Sequence, residues 1–173
     1  MGAPEVRELD ARYLDSADLA LSRAEYALRR RSGGPDAGWH IKGPRVGDAR
    51  VELHWPLGDG GPDDIVVPPA ILEELARLTP GPLSLLARIR NSRTAYALCD
   101  SDGRLVAEFV DDRVTATDER TGVERRWREW ELELGPAAPG DPAAFFAAAE
   151  AAVQAAGGRA AASASKLARA LGH

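Results

Sequence analysis

Apolar and polar residues alternate with a period of two through most of the first 134 residues, the pattern of half-buried strands. Residues 9–14 (LDARYL) and 24–31 (AEYALRRR) read as strands, and Ser-Gly-Gly-Pro ends the second. GWHIK (38–42) and RVELHW (50–55) read as a hairpin. LSLLARIR (83–90) and TAYALCD (94–100) follow as separate strands, with Asn91, Ser92 and Arg93 as their connection. RLVAEFV begins another strand that continues through Asp111–Thr117, with a bend between, and residues 119–122 turn the chain into WREWELEL (127–134).

Helical spacing is rarer. Asp15 or Ser16 is placed to cap a short helix over 17–23, and Ile71, Leu72, Leu75 and Leu78 share one face of a helix over 70–78. The loop between 56 and 69 carries a short extended piece at 65–67. Pro142 starts a helix over 142–156 that Gly157 and Gly158 end, and 165–171 form a shorter one. Tight turns make neighbouring strands antiparallel, and such a set is most stable when it curls and closes, because closure removes exposed edges. The expected class is α+β, an antiparallel β-barrel with peripheral helices, in a single domain over 1–173.

Charge sharpens this picture. In WREWELEL, Glu129, Glu131 and Glu133 share one face while Trp130, Leu132 and Leu134 share the other. Three like charges side by side repel, so the face looks either into water or into a cavity where cations neutralise it. Candidate cations lie at the same spacing: Arg29 with Arg31, His40 with Lys42, and Arg88 with Arg90. Glu52 shares a face with His54, and Glu108 shares one with Asp112. A basic wall would bind phosphate oxygens through charge-assisted hydrogen bonds. An acidic wall would hold a hard divalent cation, which could bridge phosphate to carboxylate. A solvated sheet face is the commoner reason for any one such pair.

Composition narrows the classes. The 173 residues carry a net charge of -5, which does not suggest a generally basic nucleic-acid binder. One cysteine, Cys99, argues against a disulfide scaffold or a cysteine zinc site. No run of about 18 apolar residues is present, so a soluble cytoplasmic protein without a membrane partner is expected. Phosphate-loop, HExxH and GxSxG patterns are missing.

The pieces YLDSADLALSRAEYALRRR, WHIKGP, ELHWPL, ARIRNSRTAY, AEFVDDRV, WREWELEL and SASKLARAL occur in an order that resembles the CYTH family. These are the triphosphate tunnel metalloenzymes that include thiamine triphosphatases and class IV adenylate cyclases. The resemblance implies a barrel whose interior binds a triphosphate and Mg²⁺ or Mn²⁺. It implies that Arg29, Arg31, Lys42, Arg88, Arg90 and Lys166 contact phosphate. Glu108, Asp112, Glu129 and Glu131 would hold metal, with Glu129, Glu131 and Lys42 at the chemistry and Glu52 and Glu133 nearby. The implied activity is metal-dependent hydrolysis of inorganic or nucleoside triphosphate. A polyphosphate- or nucleotide-binding module without turnover and an adenylate cyclase are the alternatives. The family's first strand, with E-x-E-x-K, has no match, since EVREL (5–9) is wrongly spaced. The chain is therefore expected to be shortened at its start relative to the family, with open barrel edges that could pair with a second copy.

Overall fold

The computed structural model describes residues 3–46, 49–59, 61, 65–161 and 165–173. Seven strands form one antiparallel sheet: β1 (Glu5–Ser16), β2 (Ala27–Ser32), β3 (Gly38–Val46), β4 (Ala49–Trp55), β5 (Leu83–Cys99), β6 (Leu105–Asp118) and β7 (Val123–Leu134). Their order across the sheet is β4-β3-β2-β1-β5-β6-β7. Consecutive strands are neighbours except β4 and β5, which are joined through α2 (Pro69–Leu75). The sheet curls around a cavity, as the alternation implied. It is not closed by hydrogen bonds: among the described residues β4 and β7 stay as edges.

The strands are fewer and longer than the sequence suggested. The expected strands 83–90 and 94–100 are one strand, β5, and Asn91, Ser92 and Arg93 lie inside it, paired with both β1 and β6. The expected bend near Asp111 is absent, since β6 pairs with β7 without a register shift from Ala107 to Asp118. Polar residues at 91–93 look like a turn because a strand interior is ordinarily apolar on at least one face. Here the inward face itself becomes polar at that point. Residues 65–67 are not a strand.

The two faces of the sheet carry separate cores. On the outer side, Leu14, Leu28, Trp39 and Ile41 pack with Leu21 of α1 (Ala20–Arg23) and with Ile71 and Leu75 of α2. On the inner side, Ala11, Tyr13, Ala87, Ile89, Val114 and Ala116 pack with Ala170, Leu167 and Leu171 of α4 (Lys166–Leu171). Thus α4 plugs one end of the concave face with apolar contacts, and the remainder of that face is free to be polar. By contrast α3 (Pro142–Ala155), capped by Asp141 accepting from the Ala144 N–H, buries none of its residues.

Asp15 fixes the corner after β1. Helix α1 is shorter than expected because Leu19, at φ 58°, turns the chain just before it. The buried Asp15 carboxylate accepts from the Ser16 N–H (2.8 Å), the Leu21 N–H (2.9 Å), the Ser22 N–H (3.0 Å) and the Ser22 hydroxyl (2.7 Å). Ser16 Oγ accepts from the Ala20 N–H at 3.0 Å, so Asp15 and Ser16 both satisfy first-turn N–H groups of α1, although its N-cap position is Leu19. Asp15→Ala strands several donors in a dry site, so it should destabilise the fold by about 2–4 kcal/mol, measured by denaturant unfolding. A loss below about 0.5 kcal/mol would show that water replaces the carboxylate.

Candidate anion and metal site inside the sheet

Cross-strand register decides which charges face the cavity. Residues directly opposite each other share a face. Ala27, Arg29 and Arg31 of β2 lie opposite Lys42, His40 and Gly38 of β3, and Lys42 and His40 lie opposite Glu52 and His54 of β4. On the other side, Tyr13, Ala11, Leu9 and Arg7 of β1 lie opposite Ala87, Ile89, Asn91 and Arg93 of β5. Arg93 then faces Asp112 of β6, which faces Glu129 of β7. Glu131 faces Val110, and Glu133 faces Glu108.

These inward positions enclose a cavity of about 790 Å³. Arg29, Arg31, Lys42 and Glu52 line one wall, and Glu108, Glu131, Glu133 and Lys166 line the opposite one. Asp112 and Glu129 lie deeper, behind Lys166. The acidic face of WREWELEL therefore looks inward, while Trp130 on the opposite face is 40% exposed and Leu132 and Leu134 reach the cavity rim. The Arg128 guanidinium lies 4.9 Å from the Trp130 ring centroid and covers part of that surface.

Arg88 and Arg90 are a correction. They stand at the opposite parity from Ala87, Ile89, Asn91 and Arg93, and so on the outer face. Arg88 pairs there with Asp10 at 2.6 Å and Arg90 with Glu124 at 3.8 Å; neither lines the cavity. The reason is the α4 plug. At that level the inner face of β5 must be apolar, so alternation sends the arginines outward. The inward cations that the sequence reading missed are Arg93 and Arg7. Their signal was available: Arg93 continues the parity of Ala87 and Ile89 once 91–93 is read as strand.

Arg93 organises the acidic wall. Its Nε and Nη2 donate to the two oxygens of Asp112, each at 2.8 Å, and Nη2 also reaches Glu131 at 2.9 Å, with Nη1 at 3.3 Å from Glu133. Burial works against the Arg93 charge, but Asp112, Glu131 and Glu133 outweigh it and hold the pKa above the ordinary arginine value. Asp112 is fully buried. Burial favours its neutral form, yet the Arg93 hydrogen bond and the Lys166 charge keep its pKa below the usual carboxylate range. Arg7 forms a bidentate pair with Glu108, at 2.8 and 3.0 Å. Glu108 is thus answered by an arginine and stands outside the acidic cluster.

The cluster itself is Asp112, Glu129 and Glu131, which offer oxygens that all lie within 4.8 Å of one another. Lys166 Nζ sits 3.0 Å from Asp112, 2.6 Å from Glu129 and 2.6 Å from Glu131. Burial opposes that ammonium, but the carboxylates, Glu131 foremost, raise its pKa above the lysine norm. Trp127 Nε1 donates to Glu129 at 2.6 Å, and the Arg169 guanidinium lies 4.6 Å from the Trp127 centroid. An all-oxygen seat already filled by a cationic group suits a hard divalent ion by donor type and by charge.

The basic wall is under strain of the opposite sign. Burial, then the neighbouring Arg29 and Arg93, pushes Arg31 down to about 10, and its guanidinium also touches Asp36. His40 is pushed down to about 3 by burial and then by Arg29 and Arg31, so it is neutral here. Its Nε2 lies 3.0 Å from the Asp36 carbonyl oxygen. Arg29 Nε and Arg31 Nε are buried without a hydrogen-bond partner among the described residues. Lys42 pairs with Glu52 at 2.9 Å. An anion placed between Arg29 and Arg31 would relieve their repulsion and satisfy donors that now lack acceptors.

Two Mycobacterium tuberculosis proteins, from strains CDC 1551 and H37Rv and both described as uncharacterized, are each 39% identical over 139 residues, or 74% of this chain. The chain matches only 26% of the length of those relatives. Two solved structures share the fold at low identity. A candidate adenylate cyclase from Bacillus halodurans superposes with a TM-score of 0.61 at 14% identity, over 95% of this chain and 82% of that one. A Hippeastrum protein, described as a candidate adenylyl cyclase with a dominant triphosphatase activity, gives 0.55 at 16% identity, over 95% and 81%. The CYTH domain model matches residues 1–171, and with the tunnel-like sheet and its inward charges this chain belongs to the CYTH domain family.

Proposed function

We propose that the protein hydrolyses a triphosphate, inorganic or nucleoside, in a divalent-metal-dependent reaction inside the curled sheet. The observation that carries this reading is the division of one cavity into two walls. Arg29 Nε and Arg31 Nε are buried, unpartnered donors on one side, and on the other Glu131 lines the cavity with Asp112 and Glu129 gathered behind it around Lys166. A phosphate chain offers anionic oxygens to the first wall. A bound Mg²⁺ or Mn²⁺ would neutralise charge on the transferring group and lower the cost of presenting water to it.

The residues divide the work. Arg29, Arg31 and Lys42 hold phosphate oxygens and fix the chain's orientation; Arg29 and Arg31 do so through planar forks that can meet two oxygens at once. Arg93 locks Asp112 and hydrogen-bonds Glu131 and Glu133 beside it, so the acidic seat is built before substrate arrives. Lys166 sits among the acidic residues of its wall, and Arg7 on β1 pairs with Glu108. Glu52 orients Lys42, and Glu133 lies at the rim next to Glu108. No part of the outer pair Arg88 and Arg90 enters this arrangement.

Phosphate release from tripolyphosphate and from ATP, with Mg²⁺ or Mn²⁺ and with EDTA, tests the reading directly. Release should require the metal and fall at least ~100-fold in Glu129→Gln/Glu131→Gln, since these are direct ligands rather than their supporting partners. No release from either substrate under any metal would sink the hydrolase reading, and metal-dependent cyclic AMP with pyrophosphate would replace it with cyclase chemistry. Arg29→Ala and Arg31→Ala should each lower kcat/KM by about 10- to 100-fold, the loss of one charge-assisted contact. Arg88→Ala should leave kcat/KM unchanged, because its side chain lies on the outer face with Asp10.

A further inference from the structure

The metal seat of this chain is already taken by a cation of its own. Lys166 Nζ lies within 3.0 Å of an oxygen on each of Asp112, Glu129 and Glu131, the same carboxylates that gather into one group. An ammonium and a divalent ion cannot both occupy the centre of that group. They would share the same oxygens at close range, and the repulsion between them would be poorly screened in a buried site. Binding of one therefore requires the other to leave.

Lys166 is built to leave without unfolding its helix. It is the first residue of α4, after Ser165, whose hydroxyl accepts from the Ala168 N–H at 3.3 Å. The helix is anchored elsewhere: Leu167, Ala170 and Leu171 pack into the inner core, and Arg125 Nη1 donates to the Ala170 carbonyl at 2.8 Å. The lysine side chain also lines the open cavity, so its flexible stem can carry the ammonium away from the carboxylates and into that space. Once there, it faces Arg29 and Arg31 across the cavity and has lost its counter-charges. It then needs an anion.

We propose that Lys166 is an exchangeable counter-ion: it holds the Asp112–Glu129–Glu131 seat in the empty protein, yields it to a divalent cation, and turns to meet a phosphate group in the cavity. The exchange rests on the metal and phosphate sites of the reading above. Its consequence is thermodynamic coupling. Metal alone must displace a well-paired ammonium, and phosphate alone finds Lys166 already engaged, whereas the two together satisfy every charge. By linkage each ligand must tighten the other.

Mn²⁺ binding, followed by calorimetry and by the electron paramagnetic resonance of free Mn²⁺, tests this without turnover. The probes are Mn²⁺ alone and Mn²⁺ with inorganic phosphate, which chelates the ion weakly in solution. In the unaltered protein, phosphate should tighten Mn²⁺ by about 10-fold, within the usual range of coupling between sites. Lys166→Met removes the charge and keeps the stem length and helix propensity. It should bind Mn²⁺ at least ~10-fold tighter without phosphate and lose most of the coupling. Its Tm should fall without metal and rise more with Mn²⁺ than that of the unaltered protein. Lys166→Arg keeps the charge and should keep the weak affinity for Mn²⁺ alone, which guards against a general packing effect. The exchange is overturned if Lys166→Met binds Mn²⁺ no tighter, if coupling to phosphate survives undiminished, or if none of the proteins binds Mn²⁺. Phosphate release plays no part in these readouts. Tighter Mn²⁺ binding by Lys166→Met in a protein that releases no phosphate would uphold the exchange while removing the hydrolase reading.

Discussion

Three carboxylates whose oxygens crowd within 4.8 Å repel one another unless cations stand among them, and much of this structure answers that constraint. Asp112 is fully buried and would otherwise be protonated. Arg93 grips both of its oxygens, and Lys166 bridges it to Glu129 and Glu131. The two cations come from distant parts of the chain, the middle of β5 and the start of α4. Each therefore ties its element to β6 and β7. Breaking either contact would leave buried charge without compensation, which costs far more than an exposed ion pair contributes.

The same constraint explains why the sheet was legible in the sequence and half of its charges were not. Period-two alternation places side chains on faces. It does not say which face is concave, nor where along a strand the concave face changes from apolar to polar. Arg29, Arg31, Lys42 and Glu52 were assignable because β2, β3 and β4 each keep one parity along the inward side. In β5 the character changes midway: Ala87 and Ile89 meet α4, and then Asn91 and Arg93 meet the cavity. Read from sequence, that change looked like a turn, so Arg93 was lost. Arg88 and Arg90, which alternate with buried apolar residues just as a cavity face would, took its place. Burial and register separate the two cases. Arg93 is buried and faces Asp112, whereas Arg90 is exposed and faces Thr115.

WREWELEL shows the converse. An alternating strand with tryptophan and leucine on one side ordinarily turns that side to the core. Here Trp130 lies outside, Glu131 and Glu133 line the cavity, and Leu132 and Leu134 reach only its rim. The inversion is affordable because the inner cations offset the glutamate charge. On the outer side the tryptophan is shielded by Arg128, itself held by Asp111 at 2.8 Å through both Nε and Nη2. Composition alone gives no sign of this, since the same residues would serve a strand facing the other way. The nearby Glu108 also shows why acidic residues on one wall are not one site. Arg7 meets both of its oxygens, so it belongs to a separate ion pair at the other level of the cavity.

Placement of the lysine depends finally on a helix too short to exist by itself. Helix α4 has six residues, and isolated helices below about 12 residues are marginal in water. It forms because Leu167, Ala170 and Leu171 complete the inner core, Ser165 caps its start, and Arg125 binds the Ala170 carbonyl near its end. Apolar fit thus sets where the helix sits, and the position of Lys166 follows from it. Electrostatics then acts on a side chain whose backbone is already fixed. This separation lets the ammonium be strongly held by Asp112, Glu129 and Glu131 while the helix does not depend on that hold alone. A lysine anchored only by its charge partners would carry its helix with it on leaving, and the apolar plug at that end of the sheet would open. Anchored as it is, the charge can move while the plug stays.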